Sequence, residues 1–123
     1  MSEMIDVKST VEDLLGESAA LVAILGAKYI YTDHTKNKEQ WPRIVLFDVS
    51  LPDTDYADDM PTAYEPTIQV SIFSKEETLA IFNVVDSTMK AAGWRRTTGH
   101  EMYEADEQVY HRPCRYKTKF MYS

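Results

Sequence analysis

Apolar residues recur at three- and four-residue spacings near the start of the chain, at Met4, Ile5, Val7, Val11, Leu14 and Leu15, while Glu12 and Asp13 turn away. That period predicts an amphipathic helix from Met4 to Leu15, ended by Gly16. Ser18 stands where it can cap a second, short helix to Leu25. Leu21, Val22, Ile24 and Leu25 make that helix apolar almost all round, so it is expected between the first helix and a sheet, with Gly26 as its stop. Tyr29-Ile30-Tyr31 is a short strand candidate, and the aperiodic, mixed-charge run from Thr32 to Gln40 is expected to be a loop. Pro42 biases Trp41 toward an extended conformation. After it, Arg43 to Ser50 carries Ile44, Val45, Leu46, Phe47 and Val49, which predicts a central strand covered on both faces near its middle.

Leu51 to Pro66 holds Pro52, Pro61 and Pro66 among Asp53, Asp55, Asp58, Asp59 and Glu65, a composition that predicts a long acidic loop. From Thr67 to Phe73 the pattern alternates, with Ile68, Val70 and Ile72 on one side, as in a half-buried strand. Ser74-Lys75-Glu76-Glu77 has the spacing of a capping box, which predicts a helix from there to about Ala92. Leu79, Phe82, Val85 and Met89 form its apolar stripe, widened by Ile81 and Val84, and Gly93 supplies the left-handed stop.

The remainder predicts a β-hairpin of Trp94 to Glu104 against Val109 to Tyr122, turning at Ala105 to Gln108. Its register sets Tyr103 opposite Tyr110 and Glu101 opposite Arg112; it also sets Arg96 opposite Lys117, an unfavourable pair that points to a bulge at Gly99. Pro113 needs an edge or an irregularity beside it. Tyr110, Cys114, Tyr116, Phe120 and Tyr122 fall on one face, joined by Arg112, with His111, Arg115, Lys117 and Lys119 on the other. The layout is α+β: one domain over residues 1–123, a mostly antiparallel sheet with helices packed on one face, and a C-terminal β-hairpin.

Composition narrows the chemistry. Thirteen basic and twenty acidic side chains leave a formal charge of −7, which disfavours tight binding of a polyanion. Cys114 is the sole cysteine, so there is no internal disulfide and no zinc-finger spacing; on the buried face of a strand it reads as a small hydrophobe. The N-terminus is acidic with no long apolar run behind it, and no stretch approaches membrane-spanning length, so neither export nor anchoring is expected. The four glycines are isolated, so no phosphate-binding loop is present. His34, His100 and His111 are scattered, though the last two could approach across the hairpin. The Asp53/Asp55/Asp58/Asp59 cluster lacks the glycine and distal glutamate of a calcium loop. No catalytic, cofactor-binding or metal site is expected.

Several stretches, in order, resemble the small tail completion proteins of long-tailed phages and prophages, related to tail-to-head joining and tail terminator proteins. They are Trp41-Pro42-Arg43-Ile44-Val45 leading to Asp55-Tyr56-Ala57-Asp58-Asp59; Thr67 to Ser74 running into the last helix; and Ala92-Gly93-Trp94-Arg95-Arg96-Thr97-Thr98-Gly99 followed by Met102-Tyr103-Glu104 and Val109-Tyr110-His111. The resemblance implies an α+β subunit, with no enzymatic activity and no cofactor, that forms a ring, typically six-membered, at the head-proximal end of the tail tube. Its implied partners are its own copies, the tail tube protein and the head completion or connector protein. The resemblance further implies that DNA passes through the channel without tight binding and that the protein resides in the virion tail after assembly in the bacterial cytoplasm. A small cytoplasmic protein-binding adaptor and a metal-dependent enzyme built on the acidic loop are the alternatives. The residues expected to make the assembly interface are Asp53, Asp55, Tyr56, Asp58, Asp59, Met60 and Tyr64 of the loop, meeting Arg115, Lys117 and Lys119 of a neighbouring subunit.

Overall fold

The computed structural model describes residues 5–32 and 41–122. Residues 33–40 of the predicted Thr32 to Gln40 loop, and Met4 of the first helix, lie outside the described residues. In chain order the elements are α1 (Val7–Gly16), α2 (Ala19–Leu25), β1 (Ile30–Tyr31), β2 (Arg43–Ser50), β3 (Asp53–Ala57), β4 (Met60–Tyr64), β5 (Thr67–Ser74), α3 (Leu79–Ala91), β6 (Arg95–Thr98), β7 (Met102–Glu104), β8 (Val109–Lys117) and β9 (Phe120–Met121). The main sheet runs β1-β2-β5-β8-β6, with β7 also paired to β8, and a second sheet runs β3-β4-β9. The fold is α+β, and all pairings are antiparallel except β1 with β2.

Local chemistry accounts for the helix ends. The Asp6 carboxylate accepts a hydrogen bond from the Ser9 N–H at 3.1 Å and starts α1 there rather than at Met4. The Ser18 hydroxyl accepts from the Leu21 N–H at 3.3 Å, and Gly26, at φ 95°, stops α2 in the left-handed conformation. α2 is less enclosed than its composition suggests: Leu21 and Leu25 are buried and Ile24 is exposed.

The capping box at Ser74 does not form. Ser74 is still the last residue of β5, paired with Tyr110, and its hydroxyl accepts only from the Glu76 N–H at 3.1 Å, inside a turn. α3 begins at Leu79 after Thr78, whose own side chain makes no cap bond. Its buried stripe is Ile81, Phe82, Val85 and Met89, while Leu79 is 53% exposed.

The sheet register assembles the core in rows. Ile44, Ile72 and Arg112 stand side by side, then Leu46, Val70 and Cys114, then Ile68 beside Tyr116. Except for Arg112, these residues join Val11, Leu15, Leu21, Leu25, Phe82, Val85 and Met89 in one cluster, so the three helices cover one face of the main sheet. Each such fully buried aliphatic side chain contributes about 1.5–3 kcal/mol. β2 lies next to the edge strand β1 rather than at the centre. Only its first half is enclosed on both faces, through Ile44, Val45 and Leu46.

In the C-terminal hairpin Tyr103 faces Tyr110 and Met102 faces His111. The next step along brings Glu101 to within 4.0 Å of Arg112. The register shift falls between Arg96 and Thr98 rather than at Gly99, so Arg95, not Arg96, lies opposite Lys117. Pro113 sits where its neighbour is interrupted between β6 and β7, the irregularity its missing N–H requires. The last predicted strand does not stay in one sheet: after Lys117 the chain turns at Thr118 and Lys119, and β9 crosses to β4, taking Phe120 and Tyr122 to the second sheet.

Candidate functional site

The predicted acidic loop is instead a β-hairpin, β3 and β4, in register from Asp53 opposite Tyr64 to Ala57 opposite Met60. Asp58 and Asp59 form its two-residue turn, at φ 52° and 63°. A hairpin turn with both central residues left-handed matches the twist of the flanking strands, and aspartate tolerates that conformation better than most residues. Pro52 and Pro66 bracket the hairpin without entering it. Pro61 lies opposite Tyr56, beyond the part of β4 that β9 covers.

Aromatic packing fixes the hairpin as an arm of the domain. Tyr64 is fully buried, with ring centroids 5.6 Å from Phe120 and 4.9 Å from Tyr122, and its hydroxyl accepts from the Ile5 N–H at 3.2 Å. Tyr64 is therefore a core residue of the arm, unlike the surface aromatic expected of it. Ionic contacts add to this. Lys119 pairs with Asp55 at 2.8 Å, which raises the lysine pKa. The Tyr122 hydroxyl donates to Asp53, an interaction that pushes the phenol up to about 12. Lys117 lies 3.7 Å from Glu65, and Arg115 donates to the Gln69 side-chain carbonyl at 3.1 Å. The acidic segment and the C-terminal lysine thus meet inside one chain through Asp55 and Lys119.

Three large apolar side chains on the arm remain open: Tyr56 (65% exposed), Met60 (66%) and Met121 (64%). Asp58 and Asp59 at the tip are exposed and have no ion-pair partner among the described residues. At the base, Arg95 and Lys117 face each other across β6 and β8, and both approach the single Glu65 carboxylate, at 4.0 and 3.7 Å. Glu65, Arg95 and Met121 are not among the residues expected from sequence at the assembly interface. The Arg95-Arg96 pair was visible, but only the bulge decides which of the two faces Lys117.

The remaining polar clusters hold the fold. The Asp86 carboxylate accepts from Tyr116 at 2.9 Å and Arg96 at 3.1 Å and pairs with Lys90 at 2.8 Å. Burial pushes its pKa up, but these partners outweigh that and leave it below the usual value. Arg112 donates to Thr78 Oγ1 and to the Gly99 carbonyl, both at 2.9 Å, and lies over the Phe82 ring. Cys114 is fully enclosed, and burial pushes its thiol up to about 12. His111 stacks on Phe73 at 4.2 Å and faces Glu104 at 3.4 Å; His34 lies outside the described residues. Among the described residues, no group of three or more His, Cys, Asp or Glu side chains is placed to hold a metal ion. No described helix is long and apolar enough to cross a membrane.

No protein-family model matches the chain, and no curated protein matches it. Among solved structures, a chain described as "Virion of native gene transfer agent (GTA) particle" superimposes with a TM-score of 0.70, covering 95% of each chain at 10% sequence identity. What the two chains share at that identity is the fold, over nearly their whole lengths.

Proposed function

We propose that this chain is a structural, non-enzymatic subunit of a phage or prophage tail. In this reading it is a tail completion protein that forms a ring, six-membered, at the head-proximal end of the tail tube. There it ends the tail and joins it to the head connector, assembling in the bacterial cytoplasm and remaining in the virion. The observation that carries the reading is the fold shared over 95% of both chains with a component of a gene transfer agent virion, a phage-like particle. The arm supports it as well, since a projecting hairpin with exposed Tyr56, Met60 and Met121 suits a subunit that is covered by its neighbours. Its partners are then its own copies, the tail tube protein and the head completion protein. With a charge of −7, the ring lets DNA slide through the channel without holding it.

Electron microscopy of particles from a strain lacking the gene tests this. Separate heads and tails, or tails of uncontrolled length, are expected; normal joined particles would overturn the assignment. Purified protein is also expected to show no salt-sensitive, submicromolar binding to duplex DNA.

A further inference from the structure

The two ends of the hairpin arm carry opposite, unbalanced charge. At the tip, Asp58 and Asp59 are exposed and lack ion-pair partners among the described residues. At the base two cations, Arg95 and Lys117, stand opposite each other and share one carboxylate, Glu65, at separations too long for a tight pair. The Arg95 side chain is 66% exposed, and every residue of β6 is exposed along the edge of the main sheet. The tip cannot neutralise the base of its own arm. Met60 follows the turn and Tyr64 precedes Glu65, so β4 alone, at roughly 3.4 Å per residue, puts about 14 Å between the two ends, and the residues flanking it add to that. The buried Tyr64 and the Asp55–Lys119 and Asp53–Tyr122 contacts keep the arm extended.

We propose that the arm tip of one copy docks on the β6 edge of the next copy, Asp58 and Asp59 against Arg95 and Lys117, in a head-to-tail contact. This rests on the reading of the chain as a ring subunit and names the surfaces that close the ring. The occupant is a second copy because the complementary charges belong to one sequence and lie at opposite ends of one stiff element. The exposed Tyr56 and Met60 beside the tip supply apolar area to the same contact. Each copy offers a tip and a base, so the contact is heterologous and propagates until rotation closes it.

The test uses two full-length variants and their mixture, followed by native mass spectrometry and light scattering over a concentration series, and on purified tails. Asp58→Asn with Asp59→Gly removes the tip charge while keeping residues that favour the turn. Arg95→Gln with Lys117→Gln removes the base charge. Each variant, folded by circular dichroism, is expected to associate with itself about tenfold or more weakly than the wild type. Their equimolar mixture is expected to stop at dimers, since one partner has only a working tip and the other only a working base. Wild-type association by the tip variant, or higher oligomers in the mixture, would overturn the docking while leaving the ring reading intact. A wild type that stays monomeric both alone and on tails would overturn both.

Discussion

Thr78 and Glu101, 23 residues apart, are joined twice: one Glu101 carboxylate oxygen accepts from the Thr78 backbone N–H at 2.8 Å and from its hydroxyl at 2.6 Å. The start of α3 is therefore capped from the β6–β7 connection, and Arg112 closes the group from β8. Burial pushes the Glu101 carboxyl up, yet the Thr78 hydrogen bonds and the Arg112 charge outweigh it and hold the pKa below the ordinary value. Glu101→Ala removes the cap and leaves Thr78 without that acceptor, so a loss of about 1–2 kcal/mol is expected in urea unfolding. Ser74→Ala breaks only a local turn bond and is expected to cost less. Equal losses for the two variants would show that the cap does not come from Glu101.

The turn of the arm stores conformational cost, because Asp58 and Asp59 both hold positive φ. Asp58→Asn with Asp59→Gly relaxes the second position in particular, and a gain of about 1 kcal/mol in stability is expected. An unchanged or lowered melting temperature would contradict the turn geometry. Together with the loss of association proposed above, the variant separates folding of the arm from its use.

Two tyrosines of the arm have opposite roles. Tyr64 is enclosed by Phe120 and Tyr122, and Tyr64→Ala is expected to cost about 3–5 kcal/mol, the range for a buried aromatic. Tyr56 is exposed, and Tyr56→Ser is expected to stay within about 0.5 kcal/mol of wild type. Thermal unfolding of both variants decides it; a large loss for Tyr56→Ser would place that ring in the packed core.

His111 makes stability depend on pH. Burial against Phe73 lowers its pKa from 6.5, Arg43 adds to that, and Glu104 opposes it. The unfolded chain binds this proton more readily than the folded one. Its contribution is therefore present above pH 6.5 and is lost as pH falls from there toward the lower folded value. His111→Phe keeps the stack without a titrating group, so its melting temperature should fall less than wild type between about pH 7.5 and 5.5. Parallel curves would show that His111 does not titrate differently on folding.

Local features of the sequence settled much of the fold. Ser18 and Gly26 bound α2 because cap and stop act within a few residues. Gly93 ends the turn after α3, and the Ala105 to Gln108 turn fixes Tyr103 opposite Tyr110. Alternation in Thr67 to Phe73 foretold which side chains of β5 face the helices. Tertiary structure decided the rest, because long-range partners outbid local preferences. Ser74 keeps its ladder position with Tyr110, and Glu101 caps α3 instead. The segment from Leu51 to Pro66 shows no strand period and no glycine, yet it pairs because β9 returns to β4 and Phe120 and Tyr122 enclose Tyr64. A one-residue bulge brings Arg95 rather than Arg96 opposite Lys117. The sequence alone determined which residue types could form a candidate assembly surface. Only the packing, by engaging Asp55 with Lys119 and leaving Asp58 and Asp59 exposed, decided which of them stay open on the surface.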